Sequence, residues 1–154
     1  MTNPLLTPFS LPPFSAIRPE DIVPAVQSAL ADCRAAVERV VAQPGPFTWD
    51  NLCQPLAESD DRLSRIWSPI GHLNSVKNSP ELRAAYEQAL PLLSEYGTWV
   101  GQHEGLYQAY RSLKEGAAFE ALSVPQRKAV DNALRDFELS GIGLSADKQQ
   151  RYGE

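Results

Sequence analysis

One short stretch, His103-Glu104-Gly105-Leu106-Tyr107, combines residue types that could bind zinc. Zinc peptidases place two histidines four residues apart on one helix face, so that both imidazoles reach the metal. The glutamate beside the first histidine then acts on the metal-bound water. Tyr107 stands where the second histidine is needed, and its hydroxyl would have to lose a proton with a pKa of about 10. We therefore interpret His103 as a packed, hydrogen-bonded residue. It would share an aromatic helix face with Tyr96, Val100, Tyr107 and Tyr110.

The remaining histidine and the two cysteines form no recognisable reactive group. His72 lies beside Ile70 and Leu73, so we expect a hydrogen-bonded histidine between helices. Cys33 and Cys53 are not a CxxC pair and are interpreted as reduced, buried thiols, with a disulfide as the minor alternative. A Cys–His nucleophile pair has no local support.

Three other features are interpreted as structural. Asp60 and Asp61 are neighbours on a predicted helix, so their carboxylates point apart and form a solvated face. The glycines of residues 141–144 follow a helix, whereas a phosphate-binding loop follows a strand. Trp49, Trp67 and Trp99 are expected to anchor the core. We therefore assign no catalytic residue and no metal ligand, and the residues that bind substrate stay unassigned.

Composition indicates a globular domain and argues against two kinds of partner. The 154 residues are 43% hydrophobic, and 14 basic against 19 acidic residues give a net charge of −5. Nucleic-acid binding requires clustered Lys and Arg, so this balance argues against it. No apolar stretch approaches the roughly 20 residues of a membrane helix, and the N-terminus lacks the pattern of a secretory signal. We expect a cytoplasmic protein.

The chain begins with a proline-rich arm, residues 1–18, that we expect to be extended and to lie along a surface groove. A first helix is predicted from Pro19 or Asp21 to a stop at residues 43–46, and a second from the N-cap Thr48, kinked or divided at Pro55 and Pro69. The apolar face of the first helix comprises Ile22, Val26, Leu30, Cys33, Val37 and Val40. That of the second comprises Leu52, Leu56, Leu63, Ile66, Ile70 and Leu73, with one small polar gap at Ser59.

Three further helices are predicted. The third starts behind Ser79-Pro80-Glu81 and continues to about Lys114; it is either bent, with Pro91 and Gly97 as the sites, or projects along something larger. The fourth starts at Ser123 and ends before Gly141, and the fifth opens at Ser145. No strand pattern is present, so the predicted class is all-α, with long antiparallel helices: four complete, and the start of a fifth. Because the chain stops just inside this last helix, we expect a longer natural protein.

Six stretches together resemble a known family. Two of them read Thr48-Trp-Asp-Asn-Leu-Cys and Tyr96-Gly-Thr-Trp-Val-Gly-Gln-His-Glu-Gly-Leu-Tyr. The full set is residues 3–9, 17–20, 48–57, 72–83, 96–107 and 129–144. In order and extent they resemble the N-terminal region of the thimet oligopeptidase and neurolysin family of zinc metallopeptidases.

The resemblance implies a role in a much longer enzyme. Members of this family are helical proteins with a deep channel that admits short peptides, and the bacterial ones also degrade cleaved signal peptides in the cytoplasm. Their His-Glu-x-x-His motif lies far downstream, and no position here matches it. The resemblance therefore implies oligopeptide substrates and zinc for the parent enzyme. For residues 1–154 it implies a non-catalytic domain, with the arm at 1–18 and helices over 19–154, that forms part of the channel wall.

Two other classes of protein stay open. One is a self-standing helical interaction module that binds partner helices, and the other is a small enzyme using Cys or His. The predicted third helix is apolar over a wide arc, because Leu92, Trp99 and Leu106 flank its main face. For that reason we also expect the isolated chain to self-associate.

Overall fold

The computed structural model describes residues 2–153 and is built from helices. Seven α-helices follow the arm. They are α1 (Pro19–Val41), α2 (Gln54–Val76), α3 (Pro80–Gly101), α4 (Glu104–Glu115), α5 (Ala117–Glu120), α6 (Val124–Leu139) and α7 (Ala146–Gly153). A π-helical turn, Trp49–Cys53, precedes α2. The described part of the chain contains no β-strand, so the all-α prediction is confirmed.

Helix ends follow the capping residues of the sequence. Ser123 and Thr48 each form a capping box with the residue three positions later, Gln126 and Asn51 respectively. In both boxes the cap hydroxyl accepts a backbone N–H and the later side chain accepts the backbone N–H of the cap, so two unpaired donors are satisfied. After α6 the chain reverses at Gly141, whose φ of +82° requires the left-handed region.

The second predicted helix is divided beside Pro55, as expected, whereas the third is divided elsewhere. Thr48 caps the π-helical turn, which continues without a gap into α2 at Gln54, so Pro55 lies where one type of helix passes into the other. Pro69 and Pro91 lie within α2 and α3. The third predicted helix, for which bends were expected at Pro91 and Gly97, is interrupted instead at Gln102 and His103, because His103 caps a new helix, α4.

The chain divides into two compact units. Among the described residues, the first contains 2–34 and 58–94, and the second contains 35–57 and 95–153, so α1, α2 and α3 contribute residues to both. In the first unit, the part of the predicted apolar face of α1 from Ile22 to Cys33 is buried, and Ser59, the polar gap in α2, is 1% exposed. The buried side chains of this unit also include Leu5, Ile66, Ile70, Leu73, Leu82 and Ala89.

The proline-rich arm is attached to the first unit at several points. Leu5 is 2% exposed, and the Asn3 side chain donates to the Asp21 carbonyl at 2.8 Å. Arg65 donates to the Phe9 carbonyl, with its guanidinium 5.5 Å from the centre of the Phe9 ring. The arm contains turns rather than one extended run, because these contacts draw it repeatedly onto α1 and α2.

The second unit has its own hydrophobic core. α4 lies at its centre and contacts α5, α6 and the π-helical turn. The core comprises Val37, Val40, Leu52, Cys53, Leu56, Leu106, Ala109, Leu113, Phe119, Val130, Phe137 and Ile142. Leu106 is 3% exposed and α4 is a separate helix, so Leu106 does not belong to the exposed arc predicted along the third helix.

Among the described residues, no helix combines the length and the apolar character that crossing a bilayer requires.

Candidate functional site at the junction of α3 and α4

The junction between α3 and α4 contains His103, the histidine of the zinc-like stretch. His103 is the N-cap of α4, and its Nδ1 accepts the backbone N–H of Leu106 at 3.1 Å. Its Nε2 faces Glu38 Oε1 of α1 at 3.5 Å, the outer limit of a hydrogen bond. The Trp99 ring lies edge-on to the imidazole, with ring centres 4.9 Å apart. His103 is thus hydrogen-bonded as predicted, but it lies between two helices rather than on one helix face.

Gln102, the other junction residue, connects the break to the C-terminal part of the second unit. Its side-chain nitrogen lies 3.4 Å from the Ser140 carbonyl oxygen and 3.2 Å from that of Gln149. The side chain of Gln149 in turn donates to the Ile142 carbonyl at 2.9 Å. These bonds occupy carbonyls at the end of α6, in the following loop and in α7, so the junction holds that segment in place.

The first turn of α4 approaches α1 closely. A Cβ on Gly105 would lie 2.7 Å from Cγ1 of Val41 and 3.4 Å from Cε1 of His103. Both obstacles are stiff groups, a β-branched side chain and an aromatic ring, so only glycine fits here. The glycine therefore allows α4 to begin directly against the end of α1, where His103 can reach Glu38.

The junction does not fit a zinc ion. Nδ1 of His103 is occupied by the Leu106 N–H, and a catalytic zinc needs three protein ligands. Throughout the described residues, no cluster of three or more His, Cys, Asp or Glu side chains could hold a metal. Tyr107, which replaces the second histidine of the zinc motif, packs against Phe137 with ring centres 5.6 Å apart.

The other sequence candidates are distributed elsewhere. His72 is exposed and lies 5.3 Å from the Phe14 ring of the arm, so the prediction of a histidine between helices is wrong. The prediction was wrong because the arm, rather than another helix, packs against the side of α2 that carries His72. Asp60 and Asp61 are exposed as predicted, although neighbouring atoms remove part of the hydration of the Asp60 carboxyl and so raise its pKa.

Both cysteines are buried and form no disulfide with each other, as predicted. Burial raises the pKa of the Cys53 thiol to about 11, although a hydrogen bond with Tyr110 acts in the opposite direction. A nucleophilic cysteine needs a lowered pKa, so Cys53 is unsuited to catalysis.

The tryptophans serve as partly buried anchors. Trp67 stacks on Tyr86 with ring centres 4.9 Å apart. Trp99 lies 6.0 Å from Tyr96, and Trp49 packs against the core of the second unit. Each therefore has aromatic or apolar neighbours within its own unit, as predicted.

A groove of about 360 Å³ lies beside the arm in the first unit. The arm residues 5–9 form one wall, and Ala29, Ser59 and Ile66 are apolar or small lining residues. Asp32, Arg62 and Arg65 supply its charges. The sequence predicted that the arm lies along a surface groove but not which residues line it, since its walls come from the arm, α1 and α2. Nor did the sequence single out Gln102 or Glu38, whose roles depend on contacts between distant helices.

Comparison with known proteins identifies the family. Residues 23–149 match the model of the neurolysin/thimet oligopeptidase N-terminal domain. The whole chain is 76% identical to oligopeptidase A of Salmonella typhimurium and 75% identical to oligopeptidase A of Escherichia coli, and in each case it spans 23% of the relative's length. A probable cytosolic oligopeptidase A of Arabidopsis thaliana is 33% identical over 99% of this chain, which spans 22% of that relative. The chain belongs to the neurolysin/thimet oligopeptidase N-terminal domain family.

Proposed function

We propose that this chain is the non-catalytic N-terminal domain of a zinc metallo-oligopeptidase of the oligopeptidase A type. The observation that carries the proposal is 76% identity over all 154 residues to a protein of which they span 23%. The zinc ligands and the general base would lie in the rest of that longer protein. This chain offers one histidine beside one glutamate in a zinc-like spacing, and that histidine is occupied as a helix cap.

The role left for the domain is to shape access to the active site. We propose that its helices form part of the wall of a channel that admits oligopeptides, including cleaved signal peptides, and excludes folded proteins. Long helices with buried apolar faces suit this role, because they give a stiff wall without reactive groups. A cytoplasmic location belongs to the same proposal and is supported by two buried cysteines that are not joined in a disulfide.

Zinc and peptidase assays on the chain test the non-catalytic assignment. The isolated chain, washed with chelator and titrated with zinc, is expected to retain no stoichiometric metal and to cleave no fluorogenic oligopeptide. Tight zinc at one ion per chain, abolished by His103→Ala, would overturn the assignment. His103→Asn, which keeps an N-cap acceptor, controls for loss of helix capping.

A chimera tests the domain assignment directly. Oligopeptidase A of Escherichia coli, with its matching N-terminal region replaced by this chain, is expected to keep peptidase activity, because 75% identity preserves most contacts. Its preference for short over long peptides should also persist. An inactive chimera that is folded and binds zinc normally would count against the proposed role.

We also propose that the isolated chain self-associates. The support is a set of large apolar side chains that are exposed in the second unit, Val124, Leu139, Leu144 and Tyr152. Exposed apolar patches promote association once they exceed a few hundred Å². Light scattering over a concentration series should show growing mass, and a constant monomer mass would end this part of the proposal.

A further inference from the structure

The groove beside the arm has an apolar floor and an apolar wall. Ala29 of α1 and Ile66 of α2 line it and are 5% and 8% exposed, so the floor is made of side chains of the core. Leu6, in the wall formed by the arm, is 45% exposed and leaves apolar surface uncovered. The volume of about 360 Å³ lies at the lower end of the roughly 300–1,000 Å³ of small-molecule sites. The groove therefore suits a small molecule with an apolar body.

Two opposite charges line this groove without pairing with each other. Asp32 belongs to α1 and Arg62 to α2, and both side chains are exposed. Within residues 2–153, neither side chain takes part in a hydrogen bond or an ion pair. The carboxylate and the guanidinium are therefore more than about 4 Å apart, the usual limit of an ion pair. A molecule that carries both a positive and a negative group could bind between them.

The two arginines of the groove have different tasks. The Arg65 guanidinium donates to the Phe9 carbonyl and lies 5.5 Å from the centre of the Phe9 ring, so it is held by the arm. The donors of Arg62 have no partner in the described part of the chain. A guanidinium presents its N–H groups in a planar fork that matches the two oxygens of a carboxylate. Arg62 is thus the group that can bind a carboxylate directly, while Arg65 adds positive charge nearby.

We propose that the groove binds a short apolar peptide with free ends, whose carboxylate pairs with Arg62 and whose ammonium group pairs with Asp32. The apolar side chains of the peptide lie against Leu6, Ala29 and Ile66. Both ion pairs are exposed and so contribute little each, which gives a dissociation constant of about 1 mM. The site depends only on the groove of the first unit. Its failure would leave the proposed peptidase role untouched, and an active chimera would not establish it.

Nuclear magnetic resonance of the ¹⁵N-labelled chain, titrated with leucyl-leucine, tests the site. The amide signals of Ala29, Ser59 and Ile66 should shift together as the peptide is added. Glycyl-glycine keeps both charges but has no apolar side chains, whereas N-acetyl-leucyl-leucine amide keeps the side chains but has no charge. Each should bind at least about five-fold more weakly than leucyl-leucine. Equal affinity for the uncharged peptide, or shifts confined to residues outside the groove, would overturn the proposal.

Two substitutions of exposed side chains, which should leave the fold intact, assign the two ends of the peptide. Arg62→Gln should weaken the binding of leucyl-leucine about five-fold but leave that of leucyl-leucine amide, which has no carboxylate, unchanged. Asp32→Asn should weaken the binding of leucyl-leucine but leave that of N-acetyl-leucyl-leucine, which has no ammonium group, unchanged. Arg83→Gln and Glu87→Gln, on exposed positions of α3 outside the groove, are matched controls and should have no effect. Equal weakening of the free and blocked peptides would show that these two residues do not recognise the ends.

Discussion

The thiol of Cys33 in α1 donates a hydrogen bond to the backbone carbonyl of Ser59 in α2, with the sulfur and oxygen 3.4 Å apart. Both residues are at most 1% exposed. Ser59 occupies the position in the apolar face of α2 where neighbouring turns carry leucine or isoleucine. The small residue at this position allows α1 to approach the backbone of α2 within reach of a thiol.

Enlarging this contact should therefore destabilise the fold. Ser59→Leu places a larger side chain in a fully packed site, and we expect a loss of about 1–3 kcal/mol in the free energy of unfolding. Urea denaturation measures the change. Ser64→Leu, on the exposed side of the same helix, should change stability by less than about 0.5 kcal/mol. Equal effects of the two substitutions would show that the close approach of α1 is unimportant.

The arm should contribute to stability through one side chain. Leu5 is 2% exposed, so Leu5→Ala should lower the free energy of unfolding by about 2–4 kcal/mol. Leu11, in the same arm, is 81% exposed, and Leu11→Ala should be nearly neutral. Thermal denaturation of both variants decides the matter, and an unaffected melting temperature in Leu5→Ala would mean that the arm does not bind the first unit.

The turn after α6 should require glycine at one position and tolerate alanine at the other. Gly141 has a φ of +82°, and a Cβ there would lie 2.9 Å from Leu144 Cδ1, so Gly141→Ala should cost more than about 1 kcal/mol. Gly143 has no atom within 4 Å of an added Cβ. Gly143→Ala should therefore be neutral or slightly stabilising. Equilibrium unfolding measures the stability of both variants. A Gly143→Ala variant that is less stable than Gly141→Ala would contradict this interpretation.

Cys53 should resist alkylation in the folded protein. With a thiol pKa of about 11, only about 0.1% is thiolate at pH 8, and burial further restricts access. Iodoacetamide labelling with mass spectrometry of each cysteine peptide should show slow modification of Cys53. Labelling in guanidinium chloride should be at least ten-fold faster, and fast labelling of the native protein would contradict the burial of this thiol.

The same thiol should make stability depend on alkaline pH. Its pKa is raised from 9.0 in the unfolded chain to about 11 in the folded one. The stability that the protonated thiol gives the folded chain is fully present below about pH 9 and is lost as the pH rises towards 11. In that range the thiol ionises in the unfolded chain but not in the folded one, which lowers the free energy of the unfolded chain alone. Urea denaturation at pH 8 and pH 10 measures the loss. Cys53→Ala should have a lower free energy of unfolding than the natural chain at both pH values, but that free energy should fall less between pH 8 and pH 10.

Sequence periodicity predicted the helices correctly where a helix has one apolar face and common capping residues. The face of α1 from Ile22 to Val40 and the cap at Ser123 were both predicted, because they depend on neighbours within the helix. The break at Gln102 and His103 was not, since the apolar spacing continues through it and histidine is an uncommon N-cap. Its position depends on contacts with Glu38 and Ser140, which local sequence does not reveal.

The hydrogen bonds that attach the arm determine which of its residues can be substituted without changing its path. Two of its attachments, from Asn3 to Asp21 and from Arg65 to Phe9, end on main-chain carbonyl oxygens. A carbonyl is present whatever side chain the accepting residue carries. Substitution at Phe9 or Asp21 therefore leaves both of these bonds available, while the donors Asn3 and Arg65 are needed for them. The Phe9 ring and the Asp21 carboxylate make one further contact each, with Arg65 and with the Arg18 N–H. A family comparison should find the arm's route preserved among members whose arm sequences have largely diverged.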